Sequence, residues 1–210
     1  GFYYYHKTLK LYVENDTKDP EMKTLGKHMS LLNVFAVLTD KLDAVLLFQY
    51  IGAAELAIYA VAEMVPDVMN RFTKNITVLA LPKLSLRKDP KGLWTKTFMI
   101  SLILLPVALL YIVAAPYIFS VFFPAYIESV PFSQALALLA VISTGLPSVY
   151  IDAQGALKTR YIITIAVNSV KLITVVAGVI FFGIWGAVIG RFISRIFGMG
   201  LTYVLLRRLP

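Results

Sequence analysis

The residues that decide the fold are Thr97–Phe122, which read TFMISLILLPVALLYIVAAPYIFSVF and contain no charged side chain. A helix of roughly 20 apolar residues is long enough to cross the hydrocarbon core of a bilayer. The whole chain of 210 residues has the same character, since 59% of it is hydrophobic and its mean hydropathy is +0.75. A soluble domain contains roughly 45–50% apolar residues. The sequence therefore predicts an all-α, polytopic membrane protein.

Five more apolar stretches accompany this one, so the sequence predicts a bundle of six transmembrane helices. Segments that contain proline or glycine separate the stretches and mark turns. The predicted spans are 29–51, 55–81, 97–122, 132–150, 161–182 and 186–206. Residues 1–28 are predicted as a cytoplasmic connector, in which GFYYY at residues 1–5 is the end of a preceding span. Residues 29–210 are predicted as one six-span lobe.

The basic residues of the connecting segments support this count. Their number alternates from segment to segment as five, none, five, none, two, none and two. Because basic loops stay on the cytoplasmic side, this alternation predicts that both ends of the segment lie on the cytoplasmic side of a cell membrane. The net charge of +8 is then explained by topology and contact with membrane lipids, without a nucleic-acid partner.

Several classes of function lack a sequence signature. There is no cysteine, and the two histidines, His6 and His28, belong to no metal-binding motif. No phosphate-binding glycine loop or Walker pattern is present, so the chain is not predicted to be an ATPase by itself. The sequence thus predicts neither a cofactor nor a metal site.

Charged residues occur within the predicted spans, where each costs about 2.5–3.5 kcal/mol unless it faces a protein interior or a wet cavity. Span one contains Asp40, Lys41 and Asp43. Asp40 lies about eleven residues into the span, near mid-membrane depth at 1.5 Å per residue. Asp40 and Asp43 share a helix face because they are three residues apart, whereas Lys41 points elsewhere.

Span two carries a charged stripe on one face, because its members are spaced by four, four and three residues: Glu63, Asp67, Arg71 and Lys74. One interpretation is a self-satisfied surface that packs against another span, with Asp67 and Arg71 paired within the helix. The other is the wall of a polar cavity. Lys74 is also placed to reach the cytoplasmic interface with its ammonium group.

Spans five and six contribute cations at depth and no carboxylates. Lys171 lies near the centre of span five, and Arg191 and Arg195 are separated by four residues on span six. Structural pairing with the carboxylates, for example of Asp40 with Arg195, is one explanation. The alternative is an anion site, since buried guanidinium groups suit phosphate.

Several motifs resemble those of polysaccharide (O-antigen-type) flippases. The stretches Asp40–Gly52 and Ala54–Ala62 are similar to the seventh and eighth spans of that family, and Leu81-Pro82-Lys83-Leu84-Ser85 resembles its "phe-pro-lys-leu-ser". Phe123-Pro124-Ala125-Tyr126 resembles its "phe-gly-x-x-tyr" loop, with proline for glycine, and Gln154–Lys158 is a degenerate form of a further loop. The resemblance covers nearly the whole chain.

The resemblance implies the MATE-like multidrug/oligosaccharidyl-lipid/polysaccharide exporter superfamily, whose members have two lobes and alternate access to a central cavity. The chain would be the C-terminal lobe of a transporter, not an enzyme, that moves an undecaprenyl-pyrophosphate-linked glycan. The missing N-terminal lobe, a polysaccharide polymerase and glycosyltransferases are the implied partners. The hypothetical pyrophosphate site comprises Arg71, Lys171, Arg191 and Arg195. Charge pairing or ion coupling would fall to Asp40, Asp43, Glu63 and Asp67.

Two other functions remain open from the sequence. A cation-coupled drug antiporter of the same superfamily would depend mainly on the acidic residues, and the cations of spans five and six argue against it. A membrane-embedded glycan-assembly enzyme would need a large outer loop with catalytic side chains. The predicted outer loops are short, and Glu128 is the one charge that clearly lies there.

Overall fold

The computed structural model describes residues 20–79, 84, 92–142 and 145–208, and all regular structure in these residues is helical. Six α-helices follow one another: α1 (Pro20–Tyr50), α2 (Ala53–Leu79), α3 (Leu93–Phe122), α4 (Val130–Val141), α5 (Gly145–Ala153) and α6 (Leu157–Leu206). A 3-10 helix, Pro124–Ser129, connects α3 to α4. The predicted all-α membrane helix bundle is therefore confirmed.

The first helix begins earlier than the sequence indicated. It starts at Pro20 rather than at Met29, so the end of the predicted connector is helical. Proline is tolerated in the first helical turn, where its missing N–H has no helical partner to lose, and the Glu, Met and Lys that follow favour helix. The preceding residues, including the predicted end of an earlier span at 1–5, lie outside the described part of the chain.

Two helices, α3 and α6, are long and apolar enough to cross a membrane. The 3-10 segment and α4, together with α5, form a third candidate that is bent by 47°. The predicted span over 132–150 is therefore broken and not one straight helix, since Ile142 leaves the helix with extended geometry and Pro147 falls in the first turns of α5. Helices α1 and α2 are long enough but carry too many charged residues to qualify by composition.

The longest helix, α6, is a hairpin that contains the predicted spans five and six. Its backbone leaves helical geometry at Gly183, where φ is 59° and ψ is −133°. The two halves then run antiparallel in close contact. A Cβ on Gly178 would lie 2.5 Å from the carbonyl oxygen of Gly186, and one on Gly190 would lie 2.8 Å from Val175 Cγ2. Small residues thus let the two halves approach closely.

A second hairpin, formed by α1 and α2, places its turn beside that of α6. Gly52 adopts a φ of 128° at this turn, a conformation that favours glycine. A Cβ on Gly183 would lie 3.3 Å from Ile51 Cδ1, so the two turns are neighbours at one end of the bundle. The depth of a residue in either hairpin can therefore be measured from this common end.

Helices α3 and α4 are joined at a proline kink. Pro116 has no N–H, which leaves the carbonyl of Ile112 without its helical donor. Gln134 of α4 donates its side-chain N–H to this carbonyl at 2.8 Å. One turn away, the hydroxyls of Tyr111 and Ser133 are hydrogen-bonded at 2.5 Å. The side chains of α4 thus satisfy the polar group that the kink exposes.

The outward face of α3 is apolar along its length. Its exposed members recur at helical spacing, and they are Ile103, Val107, Leu110, Val113, Tyr117 and Val121. A contiguous exposed apolar surface of this size is foreign to a soluble monomer but suits contact with lipid chains.

Candidate functional site

The charged residues of the two hairpins lie at similar depths. Asp43 and Arg191 are nine and eight residues from Gly52 and Gly183, which corresponds to about 12–14 Å along each helix. Asp40, Lys171 and Arg195 are one turn farther, at about 18 Å. Both levels would fall near the middle of a hydrocarbon core about 30 Å thick that begins at the two turns.

The level nearer to the turns at Gly52 and Gly183, called the outer level here, is an ion network centred on Arg191. Its Nε donates to Asp43 Oδ2 at 2.6 Å, one terminal guanidinium nitrogen pairs with the same carboxylate, and the other pairs with Glu63. The hydroxyl of Tyr59 also donates to Asp43 Oδ2, at 2.9 Å, and its ring lies 5.3 Å from the guanidinium carbon. Asp43 is only 1% exposed, so this network joins α1, α2 and α6 inside the bundle.

The level one helical turn farther from the turns, called the inner level here, contains Asp40, Lys171 and Arg195 and is exposed at the surface of the bundle. Lys171 Nζ donates to Asp40 Oδ1 at 2.8 Å, and the side chains of these residues are 11% and 68% exposed, respectively. Arg195 is half-buried and experiences the field of Asp40 and of Arg191. Within the described residues Arg195 makes no ion pair. An exposed carboxylate and a half-buried arginine therefore lie at the same level, on the side of the bundle where α1 meets α6.

Some of the predicted partners are not brought together. Asp40 pairs with Lys171 and not with Arg195, and no ion pair forms between Asp67 and Arg71 in the part of the chain that the structure describes. Arg71 is exposed and lies about 28 Å from Gly52 along α2, in the C-terminal part of the helix. It does not join the mid-membrane levels, whereas Asp67 is half-buried one turn from Glu63.

The structure changes the interpretation of the deep cations. Counted by span, Lys171, Arg191 and Arg195 are a surplus of positive charge on spans five and six. In the fold they face the carboxylates of α1 and α2, and two of the three are paired. Arg195 is the deep cation that retains its hydrogen-bonding capacity toward another anion, so it is the central residue of the candidate site.

Tyr59 also belongs to this network, and the sequence did not predict its presence there. It lies within the stretch Ala54–Ala62 that resembles the flippase motif, and the motif indicates no role for it. A signal was available, since Tyr59 and Glu63 are four residues apart and share a helix face. Its hydroxyl provides Asp43 with a neutral donor, which complements the two charged contacts from Arg191.

The site contains no arrangement typical of a metal centre. No group of three His, Asp or Glu side chains that could hold a metal ion occurs in the described ranges of the chain. The carboxylates that would serve as ligands are instead in contact with guanidinium or ammonium groups. What the site offers chemically is fixed charge and hydrogen-bond donors at mid-membrane depth.

Comparison with known proteins supplies a family. Residues 2–131, more than half of the chain, match the family described as "Polysaccharide biosynthesis protein". The matched region contains the acidic hairpin with Asp40, Asp43, Tyr59 and Glu63, and it ends before α6. No curated protein and no solved structure matches the chain.

Proposed function

The chain belongs to the polysaccharide biosynthesis protein family, and from this premise we propose that it is one lobe of a flippase for a lipid-linked oligosaccharide. The family and the apolar helices together indicate a membrane protein with a role in polysaccharide biosynthesis or export. The proposed substrate is a glycan on an undecaprenyl-pyrophosphate carrier. Translocation breaks no covalent bond, so the proposed protein is not an enzyme.

One observation carries the proposal, namely the exposed polar surface at mid-membrane depth. The side chain of Asp40 is 68% exposed while it holds Lys171, and half-buried Arg195 lies in the same level. If the ion pairs served only to fix the helices, all of them would be enclosed as Asp43 is. A surface of this kind is compatible with hydrocarbon only where it lines an aqueous cavity or faces another part of the protein.

The substrate chemistry follows from the free capacity of Arg195. A guanidinium presents its donors in a planar fork that matches phosphate oxygens. In the proposed mechanism Arg195 attracts the pyrophosphate, while Asp40 and Lys171 stay paired and adjust the local charge. The apolar outer faces contact membrane lipids, and six spans with cytoplasmic ends form the C-terminal lobe of a MATE-like transporter that alternates access with an N-terminal lobe.

The test is export of polysaccharide by cells whose only flippase of this type is the full-length protein. Arg195→Glu is expected to abolish export because it reverses the charge of the site, and Arg195→Lys is expected to retain part of it. Lys96→Glu, which reverses an exposed charge at the cytoplasmic end of α3, is the matched control. Membrane amounts of each variant are measured alongside export. Normal export by correctly inserted Arg195→Glu would overturn the assignment.

A further inference from the structure

The outward face of α1 contains a regular seam of exposed residues. The positions alternate in steps of three and four residues, and they are Leu31, Val34, Leu38, Lys41, Val45 and Phe48. This 3.5-residue repeat is the pattern by which one α-helix packs along another with left-handed crossing. From end to end the seam covers about 26 Å, most of the thickness of a hydrocarbon core.

Lys41 interrupts the seam at its middle. It lies about 16 Å from Gly52 along α1, so it is too deep for its ammonium group to reach the headgroups as lysines near helix ends do. It points away from the buried face of α1, which Thr39, Asp43 and Leu47 form. Contact with lipid chains at this depth would leave the ammonium charge unpaired in hydrocarbon, which is costly.

The described residues offer no counter-charge for Lys41. Asp40 holds Lys171, and Asp43 and Glu63 hold Arg191. No ion pair or hydrogen bond of the Lys41 ammonium is present in the ranges that the structure covers. The charge therefore requires an anion from outside them, at mid-membrane depth and on this face of α1.

We propose that this seam docks a transmembrane helix that carries an Asp or Glu at the level of Lys41. The repeat supplies the packing surface, and the single lysine selects both the partner and its register, as one polar residue does within an apolar helix seam. A second copy of this chain paired in parallel through the same seam would bring Lys41 against Lys41, so charge disfavours that occupant. The proposal does not depend on the flippase activity, because its evidence is a contact and not export.

The first test places a photo-crosslinking amino acid in the full-length protein in its native membranes. The probe replaces Leu38 or Val45 of the seam, and Leu110 on the lipid-facing side of α3 is the matched control. Seam probes are expected to give a protein adduct whose peptide, identified by mass spectrometry, contains an intramembrane Asp or Glu. The control is expected to give lipid adducts. Lipid adducts at all three positions, or an adduct with α1 of a second copy, would overturn the proposal.

The second test concerns the charge pair. Lys41→Leu is expected to cause loss of the protein adduct from the Val45 probe, because a carboxylate is left unpaired in hydrocarbon, whereas Lys41→Arg should keep it. Lys41→Glu should also lose the adduct. The adduct should return when, in addition, the acidic residue of the identified partner peptide is changed to Lys. An undiminished adduct in Lys41→Leu, or failure of this reversed pair to restore it, would rule out the proposed pairing.

Discussion

Arg191 Nε lies 2.6 Å from Asp43 Oδ2, although the two residues are 148 positions apart in the sequence. The contact joins the second half of α6 to α1, and the same guanidinium reaches Glu63 of α2. Both helical hairpins are thus connected through one side chain near mid-membrane. Because Asp43 is enclosed and Asp40 is not, these neighbouring carboxylates should behave very differently when they are replaced.

The first prediction compares Asp43→Ala with Asp40→Ala. Removal of Asp43 leaves a guanidinium partly uncompensated inside the bundle, where loss of one partner costs about 3 kcal/mol or more. Removal of Asp40, which is 68% exposed, opens the Lys171 ammonium to water, so its loss should cost less than the loss of Asp43. The shift of the thermal unfolding midpoint in detergent measures both. Equal shifts would show that Asp40 in the inner level is as enclosed as Asp43 in the outer level.

The second prediction concerns removal of the whole pair. Asp43→Leu combined with Arg191→Leu should be less destabilising than Arg191→Leu alone, because the single change leaves two carboxylates without their cation. A double-mutant cycle on thermal stability gives the coupling, which we expect to exceed about 1 kcal/mol for groups in direct contact. Additive effects would mean that Asp43 and Arg191 do not interact in the folded protein.

The third prediction tests the close approach within the α6 hairpin. Gly186→Ala should destabilise the protein by about 1–3 kcal/mol, because its Cβ would overlap the backbone of Gly178 and force the helices apart. Gly200→Ala on the same helix has open space around the new methyl group. This control should be neutral or stabilising by up to about 1 kcal/mol, as alanine favours helix. Indistinguishable unfolding midpoints would contradict the packing described here.

The fourth prediction concerns the kink of α3. Gln134→Leu should cost about 1–3 kcal/mol, since it leaves the partly buried carbonyl of Ile112 without a donor. In a Pro116→Ala background the backbone N–H of residue 116 can bond that carbonyl, so the same Gln134 substitution should then cost much less. Unfolding midpoints of the four proteins measure the difference. A cost that is independent of residue 116 would show that Gln134 acts elsewhere.

The sequence by itself determined the membrane character and most helix positions. Charge-free runs such as Thr97–Phe122 have few alternatives to a membrane-spanning helix, because each backbone polar group must be satisfied within the segment. The turns at Gly52 and Gly183 fall where glycine marked them. The sequence alone did not predict the helical start at Pro20 or the break before Gly145. At both places local proline effects competed with the apolar pattern.

Only the tertiary structure decided which charges meet. Periodicity places a residue on a face of its own helix but carries no information about the neighbour that the face contacts. The pairs of Asp43 with Arg191 and of Asp40 with Lys171 depend on how the two hairpins pack, and contacts such as Ile51 with Gly183 belong to that packing. For the same reason the apparent surplus of deep cations on spans five and six reduced, in the fold, to Arg195.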